Sequence, residues 1–449
     1  MAEAAGVLYA LETAVEGAVA FAKGIYDPTL PLNATFSPIP GLSLPRSGHS
    51  LSVVKGRAYL FGGTGSGPGL EGRDPDNDMH IIVLPSSGVT EADYQRVTAR
   101  PSTSGGPVPS PRSGHSAAVL DDRIYIYGGA SNEDGRVWVF DTEFNIWSCL
   151  DPDDDIDIPT PGPRQGHSSV TNENPRTVIQ PTDHDTLPQQ PPDPAKYVPE
   201  PPAPDSYGTV IISGGRRQDD TEADDVWIFD IRSRTWSELP RPSSSSARQS
   251  SRGKPRSRGS TTLAIVGDRL YQYNGEEGHV ARLELDKDTL SQRSENRGFS
   301  TATHGEWQYT TWEGSKGPPP RSGAAFIPVT TGQGREYLLL FGGDFDGKNY
   351  SDVWTLQLKP GNMTAASVKD ATRQAIKKHT AEATWAEVRY YNAEGKMVQE
   401  NQQRGIGSRS QFAAARGTEV DGASVVVWGG NDPANRRVVG DGLMITVDR

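Results

Sequence analysis

Short apolar runs recur down this chain, each closed by glycine. Tyr59-Leu60-Phe61 leads into Gly62-Gly63, Tyr125-Ile126-Tyr127 into Gly128-Gly129, and Ile212-Ser213 into Gly214-Gly215. Degraded copies follow at Tyr273-Asn274-Gly275, Phe341-Gly342-Gly343 and Trp428-Gly429-Gly430. A polar motif led by arginine precedes each run: Arg46-Ser47-Gly48-His49, Arg112-Ser113-Gly114-His115, Arg164-Gln165-Gly166-His167, then Arg258-Gly259-Ser260, Arg321-Ser322-Gly323 and Arg409-Ser410. Between motif and glycines lie two β-rich stretches, parted by a tight polar turn such as Lys55-Gly56 or Asp121-Asp122. A third apolar stretch comes later (Val226-Trp227-Ile228-Phe229, Val353-Trp354-Thr355-Leu356), then a lone aromatic; Trp138 to Trp147 and Trp227 to Trp236 both span nine residues. Four short strands per unit predict a propeller blade. Repetition on this scale sets the architecture before any single residue is weighed. The glycine pair supplies the positive φ and close approach that a sharp exit from a strand requires.

Six copies predict six blades in one toroid over residues 41–449. The last copy stops at Leu443-Met444-Ile445-Thr446-Val447, one strand short, and Ala34-Thr35-Phe36-Ser37 is placed to complete it. A strand within Asp27 to Pro40 then seals the ring and removes a free sheet edge. Residues 1–40 thus form the closing unit, beginning with a short helix: Leu8, Leu11, Val15, Ala18, Val19 and Ala22 fall on one helical face. Glu12 and Glu16 interrupt the apolar stretch there and no basic segment leads it, which argues against a signal peptide.

The Arg-Ser-x-His opening, the glycine pair and the two spaced tryptophans resemble the kelch family over nearly the whole chain. The resemblance implies an all-β, six-bladed kelch-type β-propeller. It does not choose a function, because one propeller architecture hosts scaffolds, receptors and enzymes.

Composition narrows the classes. A net charge of −12 argues against a nucleic-acid or anionic-membrane binder. The single Cys149 excludes an internal disulfide and fits a reducing compartment. No stretch is long and apolar enough to span a bilayer. These features predict a cytoplasmic monomer. The 49 glycines and 35 prolines belong to long loops. Successive glycine pairs are 60 to 87 residues apart, beyond the ~50 of a plain repeat.

The surplus sorts by face. The loop into a blade's first strand and the loop out of its second share what we call the upper face. A proline-rich insertion near 171–206 lies on the lower face and is expected to be disordered, as is the basic insertion near 240–257 on the upper face, with Arg241, Arg248, Arg252, Lys254 and Arg256. The acidic run from Asp151 to Asp155 enters the same face. In blade five, Ala365 to Lys378 is rich in helix formers and predicts a helical insertion on the lower face.

The strongest constellation is the set of motif arginines: Arg46, Arg112, Arg164, Arg258, Arg321 and Arg409. Repeat symmetry brings all six to the central mouth, with Thr64, Ala130, Arg216, Asp344 and Asn431 at its rim. Guanidinium forks suit carboxylate, sulfate or phosphate, so the expected ligand is an acidic peptide segment or a small anion. The resemblance points the same way: arginines at these positions contact acidic peptides in some kelch proteins and sulfated metabolites in the plant specifier proteins. The competing expectation makes each arginine a structural tie that bonds carbonyls or carboxylates of the neighbouring blade.

His49, His115 and His167 repeat with the motif and are expected to be structural. Asp74, Asp76, Asp78 and His80 have metal-ligand types. The specifier proteins space Glu, Asp and His by four residues for iron; here that spacing gives Gly72, Asp76 and His80, without the leading carboxylate. No metal or other cofactor is therefore expected. Cys149 has no tyrosine beside it for a radical-copper cross-link of the galactose oxidase kind. Two functions follow: a peptide- or protein-binding module using the arginine-lined face, or a stand-alone enzyme directing a rearrangement, elimination or cyclisation of a small anionic or polar metabolite.

Overall fold

The protein is described here by a computed structural model. The described residues are 25–65, 76–84, 92–130, 135–151, 159–174, 207–242, 261–275, 278–285, 305–309, 317–332, 334–361, 363–399, 404–417, 423–432 and 437–449.

Among the described residues, six sheets of four or five strands follow one another along the chain, five of them wholly antiparallel. Blade one is built from Ser50–Val54, Arg57–Phe61, Met79–Val83 and Asp93–Val97. Blade two uses Ser116–Leu120, Arg123–Tyr127, Val137–Asp141 and Ile146–Leu150. Blade three uses Ser168–Asn172, Thr209–Ser213, Val226–Asp230 and Thr235–Leu239. Blade four ends in a strand of two residues, Gln308–Tyr309, and blade five in Trp385–Glu387.

Strand residues alternate between two interfaces. In Arg123–Tyr127, Ile124 and Ile126 join the core shared with blade one, while Tyr125 and Tyr127 join the core shared with blade three. Each of the six apolar cores lies between two neighbouring blades, so both faces of every sheet are covered. That is why these strands read as near-continuous apolar runs rather than as alternation. The spaced tryptophans belong to the same packing: Trp147 sits 4.9 Å from Phe61 of the preceding blade, and Trp236 sits 5.1 Å from Tyr127. Between the tryptophans the chain turns through Asn145 and Arg234 in the left-handed region, with the Asp141 and Asp230 carboxylates accepting from the turn's backbone N–H groups.

Blade six is closed by the N-terminal segment. Asn33–Ile39 runs antiparallel to Gly442–Asp448 over seven residue pairs. It is not the outermost strand. Arg389–Asn392 leaves blade five and pairs in parallel with Asn33 to Phe36, covering the edge that the closing strand would leave open. Nothing in the sequence pattern pointed to this fifth strand.

The blade-five insertion forms a helix, α1 (Ala365–Ala375), with Thr364 as N-cap and Ser367 completing a reciprocal capping box. Among the described residues no helix is long and apolar enough to cross a membrane. The expected insertion near 171–206 starts later than drawn from sequence, because Thr171 and Asn172 are still paired in their strand. Its proline tract, most of the basic insertion (including Arg248, Arg252, Lys254 and Arg256), the motif arginine Arg258, Asp74 and the segment expected as an N-terminal helix lie outside the described residues.

Candidate functional site

Five of the motif arginines are described, and none reaches across an open mouth. Each turns back into its own blade and donates to the carbonyl of the first glycine of the pair. The distances are 2.8 Å for Arg46 to Gly62, 3.0 Å for Arg112 to Gly128, and 3.1 Å for Arg164 to Gly214. Arg409 reaches Gly429 at 3.3 Å and Arg321 reaches Gly342 at 3.5 Å. The rest of each fork goes to a carboxylate near the start of the third strand. Arg164 meets Asp225 at 2.5 Å, Arg321 meets Asp352 at 2.7 Å, Arg409 meets Asp441 at 3.1 Å, and Arg46 meets Asp76 at 2.8 Å. In blade two the corresponding position is Arg136, and Arg112 instead donates to the Ser110 carbonyl at 3.1 Å. Arg112, Arg164 and Arg321 are 2% exposed or less.

The five described arginines thus spend donors inside their own blades. The guanidiniums hold the loop into strand one against the exit of strand two. Carboxylates neutralise four of the five within the blade, and burying those charges without their partners would cost several kcal/mol each. Burial works to raise the Asp225 and Asp352 carboxyls, but hydrogen bonds from Arg164 and Arg321 outweigh it and hold both below their ordinary range. The carboxylate partners at Asp225, Asp352 and Asp441, one per blade, were the sequence signal for this outcome.

The same motif also links neighbouring blades. The second glycine's N–H donates to the carbonyl of the next blade's arginine: Gly63 to Arg112 at 2.9 Å, Gly129 to Arg164 at 2.8 Å, and Gly430 to Arg46 at 2.8 Å. A side chain on Gly62 would collide with that carbonyl and with His115, which explains why glycine stands there at φ +63°. Nearer the axis, Gly48 donates to Gln411, Gly114 to Gly48 and Gly166 to Gly114, a belt of backbone bonds across the mouth between 2.7 and 2.9 Å long.

The repeated histidines are structural, as expected. Nε2 of His115 lies 2.8 Å from Ser50 Oγ, and Nε2 of His167 lies 2.7 Å from Ser116 Oγ, each one blade away. His49 packs against Gly429 in the same manner, yet both of its ring nitrogens lack a partner. Burial, reinforced by the neighbouring arginines, pushes His49 and His167 down to about 3 and His115 well below its usual value.

Asp76 and His80 do come together, but around Arg46 rather than a metal. His80 Nε2 is 2.6 Å from Arg46 and 3.3 Å from Asp76, and its Nδ1 is 2.7 Å from the Tyr94 hydroxyl. An arginine already fills the cationic position, and Asp78 is taken by Arg96. Among the described residues no group of histidine, cysteine and carboxylate ligands is arranged for a metal ion.

The residues after the glycine pairs are held against the motif loops. Thr64 bridges to Ser47, Ala130 to Ser113, Asp344 to Ser322 and Asn431 to Ser410, and Arg216 pairs with Gln165. Two of them open hairpins: Asp344 and Phe345 pair with Asn349 and Lys348, and Asn431 and Asp432 with Val438 and Arg437. Asp219, Asp220, Asp224 and Asp346 are exposed along this face, and burial alone raises the Asp344 carboxyl. A cavity of about 480 Å³ lies elsewhere, on the lower face, between residues 25–31 and the loop after α1, including Lys378, His379 and Thr384.

A family model described as the KLHDC2/KLHL20/DRC7 Kelch-repeats domain matches residues 37–180. Acyl-CoA-binding domain-containing protein 5 of Arabidopsis thaliana is 26% identical over 67% of this chain and 38% of its own length. Host cell factor 1 of Rattus norvegicus is 34% identical over 28% of this chain and 6% of its own length. Kelch domain-containing protein 3 of Bos taurus is 32% identical over 28% of this chain and 31% of its own length. The matched stretches thus span less than two fifths of these relatives. A solved structure, that of YjhT, aligns with 92% of this chain at 14% identity and a TM-score of 0.46.

Proposed function

We propose that this chain, a kelch-repeat β-propeller, is a protein-binding module whose partner is held by the upper-face hairpins that follow the glycine pairs. One observation carries the reading. The described residues that repeat from blade to blade are consumed inside the ring, whereas the sequence beyond the glycine pairs differs in every blade and is exposed at 218–221 and 346–348. Repetition serves the scaffold, and the variable loops are left to serve recognition.

The exposed charge supports a different partner from the acidic one expected from sequence. With its motif arginines turned into the blades, the upper face offers Asp219 and Asp346, while Asp220 and Asp224 are paired with Arg216 and Arg241, on a chain of net charge −12. A basic or neutral segment is complementary to such a surface, and an acidic one is repelled.

The test is affinity capture with the full chain and with a variant whose residues 345–348 and 218–221 are replaced by Gly/Ser. The variant is expected to lose its partner while melting as the parent does, and salt is expected to weaken capture by the parent. Undiminished capture by the hairpin variant overturns the proposal.

A further inference from the structure

The cavity of about 480 Å³ on the lower face lies between residues 25–31 and the loop that leads from α1 to the last strand of blade five. Both of these walls are fixed in place. Residues 25–31 form a strap: Arg373 donates to the Ile25 carbonyl at 3.0 Å and to Asp27 at 2.9 Å, Arg449 donates to Asp27 at 2.9 Å, and Tyr337 donates to Thr29 at 3.1 Å. Opposite, fully buried Gln357 holds the loop, accepting from the Ala383 N–H at 3.0 Å and donating to Thr380 at 2.7 Å and to Thr384 at 3.2 Å. The loop bends sharply to reach these partners. Lys377, Ala381 and Ala383 all stand in the left-handed region, at φ +55°, +59° and +53°. An alanine gains nothing locally from that conformation, and such positions gather at ligand sites, where the surroundings impose them.

The walls carry more positive than negative charge: Arg373, Lys378 and His379 against one carboxylate, Asp27. Behind them, α1 turns Lys369, Asp370 and Arg373 inward, all buried, and the single Asp370 carboxylate serves both Arg335 at 2.5 Å and Arg373 at 2.7 Å. Burial, reinforced by the facing charges of Arg373 and Arg335, pushes the Arg449 guanidinium below its ordinary value. The three nitrogens of Arg373 are already bonded to the strap and to Asp370, so it lends the cavity its field rather than a contact. Lys378 and His379 are the donors that remain. The Lys378 ammonium is held 4.1 Å from the Tyr26 ring. His379 Nδ1 accepts from the Ala381 N–H at 2.9 Å, which keeps the neutral ring's proton on Nε2 as a donor. Among the described residues neither the ammonium nor Nε2 meets a carboxylate. Much of the remaining wall is apolar, with Pro28, Leu30, Pro31 and Ala386.

We propose that this cavity binds a small carboxylate with an apolar body, its oxygens taken by Lys378 and His379 and its body lying against Leu30 and the strap prolines. A preformed, mostly apolar hollow with a few polar groups is the usual form of a small-molecule site. Two single donors suit a monoanion, whereas a phosphate calls for the guanidinium fork that Arg373 has already spent. The strap runs directly into Asn33–Ile39, so an occupant of the cavity also braces the segment that closes the ring.

The test is titration of the full chain with cinnamate, followed by backbone amide chemical shifts. Saturable shifts confined to residues 25–31 and 377–386 are expected, with a dissociation constant of about 1 mM or tighter. Lys378→Met, at an exposed position, is expected to weaken binding about tenfold while the melting temperature stays put. Cinnamyl alcohol, the uncharged counterpart, is expected to bind the parent about tenfold more weakly than cinnamate and to be indifferent to Lys378→Met. Absence of saturation, shifts centred elsewhere, equal binding of the alcohol, or an undiminished affinity in Lys378→Met overturns the proposal. Deleting residues 1–24 leaves the strap in place and is expected to leave the constant unchanged. Binding seen only in that deletion also overturns the proposal, and identifies the chain's own first residues as the occupant.

Discussion

At the residue scale the decisive fact is where each arginine spends its donors. Arg164 is fully buried against Asp225, itself 3% exposed, so Arg164→Ala leaves a carboxylate stranded among blades. Urea unfolding of that variant is expected to show a loss of about 3–5 kcal/mol. An unchanged midpoint would return the arginine to the role of a ligand contact. His49 makes the complementary case. Ala413 pairs with Trp428 as Ser50 pairs with Phe61 and Ser116 with Tyr127, so blade six lacks the hydroxyl that the other histidines find. Ala413→Ser supplies it and is expected to stabilise the fold by about 1 kcal/mol in the same assay. The three histidines also set an acid limit. They are neutral when folded, with His49 and His167 lowered to about 3, while the unfolded chain takes up their protons near 6.5. The unfolded state therefore binds more protons in that window. Their contribution is complete above pH 6.5 and falls towards pH 3 by about 1.4 kcal/mol per pH unit for each histidine. Melting temperatures between pH 7 and pH 4 check the slope, which is expected to flatten for His167→Asn.

At the scale of elements, the strands were legible because both faces of each are buried, which leaves an unmistakable apolar run. The glycine pair was legible for its backbone geometry but not for its cause, a neighbour's carbonyl and imidazole pressed against Gly62 and Gly128. The direction of the motif arginines was not legible because an arginine that repeats fits a ring of ligand contacts and a set of internal ties equally well. Spacing along the chain carries no direction for a side chain, and only the recurring aspartates distinguished the two. The fifth strand, Arg389–Asn392, was invisible because its partner lies more than 350 residues away. Helix α1 was legible as a helix, yet its polarity was not, since Arg335 and the strap that bury its charges come from other parts of the chain. That arrangement makes Asp370 its keystone. Asp370→Ala leaves Arg335 and Arg373 facing each other without their shared carboxylate, and the expected cost is again about 3–5 kcal/mol. Chemical denaturation reads it directly, and a smaller loss for Val368→Ala separates the inward face from the outward one.

For the whole molecule, stability and closure are one question, since each apolar core is shared by two blades and the sixth needs both ends of the chain. Leu32 and Ala34 lie fully buried in the core between blades five and six, and Ile39 is buried in the core between blades six and one. Removing residues 1–40 strips these from two interfaces at once. It also unpairs Gly442–Asp448 along its length and leaves Arg389–Asn392 with no strand to cover. At about 1.5–3 kcal/mol for each large aliphatic side chain lost, the deletion consumes a substantial part of a typical folding free energy. It also exposes a long sheet edge that invites pairing between molecules. Removing residues 1–24 alone spares every one of these contacts. Thermal unfolding of the two truncations is therefore expected to diverge, the shorter deletion melting close to the full chain and the longer one far below it, with aggregation. Equal melting of all three would mean that the ring is held by its blades alone and that the terminal strand is an ornament of the fold.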